Sequence, residues 1–181
     1  MAMSKSDTAQ ADRVVGPLRS ARRPMHTGLR QVQQAAAGLD ADPRVALAAL
    51  DTAVHYLRSE LAPILHAEEF VLFPAVDGVI GNMGASDIMR AQHAAIVAMI
   101  EDLERVVAAA RTDGDVQAYQ KYLVPLLHGL YAVVRMHLES EEVVWVTLLD
   151  QHLSESQVGV IIDNLDRVSS AYRERMSAAS S

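Results

Sequence analysis

The composition of this 181-residue chain excludes several classes of protein before any motif is considered. Half of the residues are hydrophobic, only 4% are aromatic, and Gly and Pro are few, which predicts an all-helical protein with one full core rather than a sheet protein. The absence of cysteine excludes disulfides and thiolate ligands, so any bound metal must be held by nitrogen and oxygen. A formal net charge of −7 argues against a nucleic-acid partner.

The start of the chain does not have the composition of a secretory signal. The first residues are polar and lack the apolar stretch of a secretory signal, and no apolar run approaches the roughly 20 residues that span a bilayer. We therefore expect a cytoplasmic protein without a membrane segment. Disordered tails are predicted over residues 1–12 and 177–181, around a single helical domain over residues 13–176. The arginines near the start are interpreted as a solvated surface: Arg13, Arg19, Arg22 and Arg23.

Five helices are predicted in chain order, and the first two precede the loop near Gly84. The first runs from Pro17 or Pro24 to Ala37 and places His26 on one face with Leu29. Asp42 followed by Pro43 has the pattern of a helix cap and first helical position, so the second helix begins there.

The second helix carries an inward-facing stripe at intervals of three and four residues. One member of the stripe is charged, and Pro63 within the run is expected to bend the helix because proline has no N–H to donate. The helix is predicted to end at Pro74, Asp77 and Gly78. The stripe consists of Leu47, Leu50, Val54, Leu57, Leu61, Ile64, Glu68 and Val71.

The third and fourth helices show the same pattern, and each places ligand-type residues on an apolar face. Ser86 or Asp87 caps the third helix, and residues 112–115 form the turn before the fourth. In a helix, residues four apart lie above one another, so His137 and Glu141 point in the same direction. The third stripe is Met89, His93, Ile96, Ile100, Leu103 and Val107; the fourth is Leu123, Leu127, Leu130, Val134, His137, Glu141, Val144 and Leu148.

The fifth helix begins at Ser154, where Gln157 completes a capping box. Its apolar stripe contains no ligand-type residue, and we interpret it as a cover over one side of the core. The five helices predict an antiparallel up-down-up-down four-helix bundle with an additional C-terminal helix. The stripe of the fifth helix is Val158, Ile161, Leu165, Val168 and Tyr172.

Such a bundle would bring Glu68, His93, His137 and Glu141 into one core. Two buried carboxylates would each cost several kcal/mol without positive partners, and no Lys or Arg lies on the three clear stripes. The simplest compensating charge is a metal cation, because Glu and His on facing helices are the ligands of two-metal sites in helical bundles. The alternative is a polar network at the end of the bundle.

The sequence resembles the hemerythrin-like, HHE cation-binding family over about residues 18 to 155. Two motifs carry the resemblance: EExxLFP, which begins at Glu68, and HxxxEE, which begins at His137. The resemblance implies two iron ions bridged by carboxylates, with Mn or Zn as alternative metals. The ligands that it implies are His26, Glu68, His93, His137 and Glu141.

One position departs from the family pattern. Four residues before Glu68, where the family has a histidine, this chain has Ile64. Two explanations stay open. Either the helix is distorted after Pro63 so that His66 or Glu69 replaces the missing ligand, or one metal position lacks a ligand.

The resemblance implies several functions without selecting one. The leading hypothesis is a non-haem di-iron protein that binds dioxygen, nitric oxide or peroxide for sensing or detoxification. The alternatives are a di-iron oxidase or oxygenase acting on a small organic substrate, and a metal-free helical interaction module with a degenerate site. The sequence predicts neither turnover nor the oligomeric state.

The remaining histidines and the tryptophan are interpreted structurally. His55, His128 and His152 fall off the stripes or near a helix end and are expected at the surface or between helices. Trp145, one turn beyond Glu141, is expected to fill the core near the site.

Overall fold

The computed structural model describes residues 16–179 except residues 82, 83 and 85. Regular structure within these residues is entirely helical, without a strand, which confirms the predicted all-α fold class. The tail predicted over residues 1–12 lies outside the described residues, as do residues 180 and 181. The final helix continues to Ala179, beyond the predicted start of the C-terminal tail at residue 177.

Two short π-helical segments interrupt the α-helices that the structure describes. We number the α-helices α1 to α8 and the π-helical segments π1 and π2. The helices α2, π1 and α3 follow one another without a loop, as do α6, π2 and α7. The bounds are α1 Gly16–Ala37, α2 Pro43–Tyr56, π1 Leu57–Leu61, α3 Ala62–Phe70, α4 Leu72–Ile80, α5 Asp87–Asp113, α6 Val116–Ser140, π2 Glu141–Val146, α7 Thr147–His152 and α8 Glu155–Ala179.

The described residues fall into two compact units, to which the longer helices contribute different parts. The first unit contains residues 16–23, the described part of 63–90, and 138–179; the second contains residues 24–62 and 91–137. The prediction of a single domain over residues 13–176 stays a prediction. None of the helices described combines the length and hydropathy that crossing a membrane requires.

The predicted helix starts are confirmed by their capping contacts. The Asp42 carboxylate accepts a hydrogen bond from the backbone N–H of Arg44 at 3.0 Å, ahead of Pro43 at the first helical position. At the start of α8, the backbone N–H of Ser154 donates to Gln157 Oε1 at 2.9 Å, and the N–H of Gln157 donates to Ser154 Oγ at 3.4 Å. These reciprocal bonds form the predicted capping box.

The predicted end of the second helix was wrong. The chain remains helical through Pro74 and Gly78, and α4 ends at Ile80. Gly81 caps it with a φ of 71°, the left-handed conformation that glycine adopts without strain. The break occurs earlier, at Val71, where φ is −123°. Pro74 explains this break, because it has no N–H to donate to the carbonyl of Phe70.

The stripes of α5 and of α6 up to Glu141 were predicted correctly. Every member of the α5 stripe from Met89 to Val107 is buried, with His93 only 1% exposed. In α6 the stripe from Leu123 to His137 is completely buried. Both helices are regular over these residues, so the spacing of three and four residues holds.

The stripe of the second predicted helix shifts because of π1. Leu57 and Leu61 are buried as predicted, but Leu65 is buried where Ile64 was expected, and Ile64 is only half-buried. In π1 the backbone N–H of Ala62 bonds to the carbonyl of Leu57, five residues back, which widens the turn and changes the phase of the face. This wide turn comes directly before Pro63, which lacks the N–H for a regular bond.

A second phase change occurs at π2, which begins with Glu141. The prediction that Val144 and Leu148 lie on the buried face was wrong, because Val144 is 57% exposed and Leu148 is only half-buried. Trp145 and Leu149 are buried in their place. A π turn contains about one residue more than an α turn, so the buried face moves one residue along the chain.

In the second unit, Tyr56 is fully buried and its hydroxyl donates to the backbone carbonyl of Met25 at 2.7 Å. Burial, with a smaller contribution from the negative charge of Glu60, raises the pKa of the Tyr56 phenol above its usual range. The folded protein therefore keeps this phenol protonated at a pH where the unfolded chain loses the proton.

This burial predicts a loss of stability in alkali. The stabilisation is complete below about pH 10, the pKa of an unfolded-state tyrosine, and is lost as the pH rises above it. Tyr56→Phe should cost about 1 kcal/mol at neutral pH, for the lost hydrogen bond, and should reduce the fall of Tm above pH 10. Thermal unfolding from pH 8 to pH 11 measures this, with Tyr122→Phe, at an exposed tyrosine, as the control. Equal alkaline slopes for wild type and Tyr56→Phe would contradict the prediction.

Candidate metal centre

Two glutamates form the acidic part of the candidate site, within the first unit. Glu68 on α3 is 1% exposed, and Glu141, the first residue of π2, is 0% exposed. A carboxylate oxygen of Glu68 lies within 4.8 Å of one of Glu141. Two carboxylates this close together, with little access to water, require positive charge nearby.

Arg22 on α1 supplies positive charge to both glutamates. Its Nη2 donates to Glu68 Oε1 at 2.7 Å and forms an ion pair with Glu141 Oε2. The side chain is 6% exposed, so the interpretation of Arg22 as part of a solvated surface was wrong. The spacing of apolar residues in the first helix could have identified Arg22 as buried. The buried face repeats at intervals of three and four residues and consists of Leu18, Arg22, Met25, Leu29 and Val32.

Two histidines form the basic part of the site, within the second unit. His93 on α5 and His137 on α6 are 1% and 0% exposed, and their Nε2 atoms lie 3.0 Å apart. The rings meet edge-on, with centroids 4.5 Å apart. His137 Nδ1 contacts Gln92 Oε1 at 3.2 Å, and since the amide oxygen can only accept, Nδ1 carries the proton. His137 Nε2 is therefore the nitrogen with a lone pair for a proton or a metal.

The helix α6 continues without a break into π2, which places His137 and Glu141 one turn apart. The histidine pair and the glutamate pair thus each contribute one member to the same helix. Glu68, His93, His137 and Glu141 make up a group of buried residues that can hold a metal ion. All four were predicted as ligands from the sequence.

The fifth proposed ligand, His26, does not join this group. His26 lies on α1 one turn after Arg22, and its side chain is exposed, although Leu29 on the predicted shared face is buried. The first helix therefore directs an arginine rather than a histidine towards the carboxylates. The role of His26 as a ligand stays a prediction.

His66, the first candidate to replace the missing ligand, faces α8. Its ring packs against Phe70 at 4.7 Å and against Tyr172 at 4.6 Å between centroids. Burial, together with the positive charge of Arg175, lowers the pKa of His66, and the charge of Glu69 partly opposes this. These contacts hold the imidazole among aromatic rings, outside the group of four.

Glu69, the second candidate, is also outside the group. Its side chain is half-buried, and its backbone carbonyl accepts a hydrogen bond from Arg90 Nη1 at 3.2 Å. Three other histidines were expected at the surface or between helices. All three are exposed, which confirms a position at the surface: His55, His128 and His152.

An apolar cluster in the first unit lies next to Glu141 along the chain. Trp145 is 7% exposed and packs against Phe73 with ring centroids 5.3 Å apart, which confirms its prediction as core filler. The Arg90 guanidinium lies 5.2 Å above the Phe73 ring. Buried Asp77 accepts hydrogen bonds from the N–H and hydroxyl of Ser86 at 3.0 and 2.9 Å, which holds the end of α4 against the start of α5. These contacts hold π2 and the start of α5 against α4.

The donor set fits a metal cation. Imidazole nitrogen and carboxylate oxygen suit iron, zinc and manganese, and all four side chains are almost completely removed from water. The separation of 3.0 Å between the two Nε2 atoms is less than twice the metal–nitrogen distance of about 2.1 Å, so both nitrogens can bind one ion. An all-helical protein with such a group belongs to the class of helical cation-binding proteins.

Comparison with known proteins defines the family. The model of the hemerythrin HHE cation-binding domain matches residues 22–149, and the chain belongs to this family. A search of curated proteins and a search of solved structures each found no match. The family and the buried His/Glu group together support a cation-binding site.

Proposed function

We propose that the chain is a non-haem iron protein that binds dioxygen, nitric oxide or peroxide, for sensing or for detoxification. The observation that carries this proposal is a buried pair of glutamates and a buried pair of histidines, and the side chains within each pair lie close together. One glutamate and one histidine lie on consecutive turns of the same helix. The proposed ligands are Glu68, His93, His137 and Glu141. Iron is proposed over manganese and zinc from the family, since the donor set accepts all three metals.

The bound iron would supply the open coordination positions at which a small ligand binds. The protein residues would set the conditions for that binding. Gln92 Oε1 would accept a hydrogen bond from the Nδ1–H of His137 and so leave Nε2 to face the metal. Arg22 holds one oxygen of each glutamate and thereby limits their rotation. The contact between Trp145 and Phe73 would hold π2, and with it Glu141, in place.

The contacts of Arg22 also favour a second candidate. A guanidinium that pairs with both buried carboxylates can stabilise them without any metal, so the group could be a structural network in a helical interaction module. One guanidinium carries one positive charge and two ionised carboxylates carry two negative charges. A metal ion, or a protonated histidine in the structural network, must complete the balance.

Iron content separates the two candidates. His137→Ala removes a buried imidazole and should reduce the iron content of protein purified after iron supplementation by more than half, with a matching loss of near-ultraviolet absorption. His128→Ala, at an exposed histidine of the same helix, should keep the wild-type content. Wild-type protein that binds no iron under these conditions would favour the structural network.

Addition of nitric oxide to iron-loaded protein without oxygen, followed by visible absorption, tests the small-ligand part of the proposal.

A further inference from the structure

The first helix presents a different residue to the glutamates from the one that the family resemblance implies. The resemblance implies a ligand at His26, but His26 is exposed and Arg22, one turn earlier, is buried. The buried contribution of α1 is therefore a fixed cation. An arginine keeps its charge in any protein environment, so it cannot act as a metal ligand.

The contacts of Arg22 resemble those of a bridging cation. Its Nη2 contacts Oε1 of Glu68 and Oε2 of Glu141, which is one oxygen of each carboxylate. Each carboxylate has a second oxygen, so it can contact the guanidinium through one atom and a metal through the other. In a centre of two bridged metals, both atoms of each carboxylate would contact metals.

We infer that Arg22 takes the place of the second cation, so that the centre holds a single metal ion beside a permanent guanidinium. This inference rests on the proposed function and specifies its site. The charges favour one ion over two: with two ionised carboxylates and Arg22, one divalent ion leaves a surplus of one positive charge, and two divalent ions would leave a surplus of three.

The residues that would hold a second metal support the same inference. Ile64 has no ligand atom at the position where the family has a histidine, and it is only half-buried. His66 packs between Phe70 and Tyr172 instead of joining the group. The four grouped residues offer four ligand atoms, which is enough to hold one ion tightly.

The number of cobalt ions bound at saturation tests this inference. Co²⁺ added to metal-free protein and followed by visible absorption should give a titration break at about one equivalent per chain in wild type. Arg22→Gln removes the guanidinium charge and should move the break towards two, with the added ion bound at least ~10-fold more weakly than the first. Arg22→Lys keeps the charge and should stay at about one.

Arg19→Gln is the matched control. Arg19 precedes Arg22 by one turn of α1, is half-exposed and pairs with Glu142. The same change of charge at this position should leave the break at about one equivalent and the affinity within about twofold of wild type. A break at two in wild type, or an unchanged break in Arg22→Gln, overturns the inference while leaving the proposed cation site intact. Wild-type protein that binds no cobalt and no iron overturns the proposed function, and the inference with it.

A measurement on wild type covers the case in which Arg22→Gln does not fold. The side-chain N–H signals of Arg22 in ¹⁵N-labelled protein can be assigned by their loss in Arg22→Lys. They should remain protected from solvent exchange both in metal-free protein and after one equivalent of Zn²⁺, because the guanidinium stays on the carboxylates. Loss of these signals on zinc binding would show that metal displaces Arg22, and would overturn the inference.

Discussion

Gly28→Ala is expected to lower the free energy of unfolding by about 3 kcal/mol, although alanine normally favours a helix by about 1 kcal/mol. A Cβ at this position would lie 2.0 Å from Cε2 and 2.3 Å from Cδ2 of Tyr56. The ring cannot easily move away, because it is fully buried and its hydroxyl bonds to the Met25 carbonyl. Thermal unfolding should show a Tm lower by roughly 6–12 °C for a chain of this length.

Gly78→Ala provides the control for this substitution. Gly78 lies inside α4, and a Cβ there would meet nothing within 4 Å, so alanine should stabilise the protein by roughly 0.5–1 kcal/mol. The clash can be tested further in the Tyr56→Leu background, where a smaller side chain should reduce the cost of Gly28→Ala. An equal cost in both backgrounds would mean that the ring of Tyr56 is not the cause.

Removal of bound metal is expected to produce the second large effect. A cation that binds only the folded protein adds about 4 kcal/mol when its concentration is 1,000 times Kd, so chelation should lower Tm by roughly 8–16 °C. The stripped protein should nevertheless stay folded, because Arg22 remains paired with Glu68 and Glu141. The sequence-based expectation that a metal is the simplest compensating charge for the two carboxylates overlooked this arginine.

Variants make the thermal measurement specific to the site. His137→Ala, which should lose more than half of its metal, should show a smaller metal-dependent change of Tm than wild type, and His128→Ala should show the full wild-type change. Circular dichroism with and without chelator measures both, once metal content has been determined on the same samples. An identical Tm for loaded and stripped wild type would mean that the metal does not bind the folded state preferentially.

The regular helices of this protein could be predicted from apolar spacing alone. The stripes of α5 and of α6 up to Glu141 were correct because their backbone keeps a constant period. The spacing also identified His93, His137 and Glu141 as buried polar residues. Glu68 was placed correctly even though Ile64, four residues before it, was not.

The errors have physical causes that apolar spacing does not encode. A π turn changes the period within a helix, so the stripe placed Val144 in the core although its side chain is exposed. Arg22 was missed because several arginines surround it, and a cluster of charges was taken for a solvated surface. The apolar neighbours Leu18 and Met25 show that one arginine of the cluster lies on the buried face.

The π segment that begins at Glu141 has a consequence for comparing this chain with its relatives. It behaves as an α-helix into which one residue has been inserted, because each of its turns takes up about one residue more than an α turn. Residues before the segment, including His137, and residues after it, including Leu149, therefore belong to different registers of one continuous helix. An alignment with a relative whose helix is regular here requires a gap of one residue inside the helix, between the metal-binding motif and Thr147. A search pattern with fixed spacing across this point would pair Trp145 with the wrong column, even where the metal ligands agree.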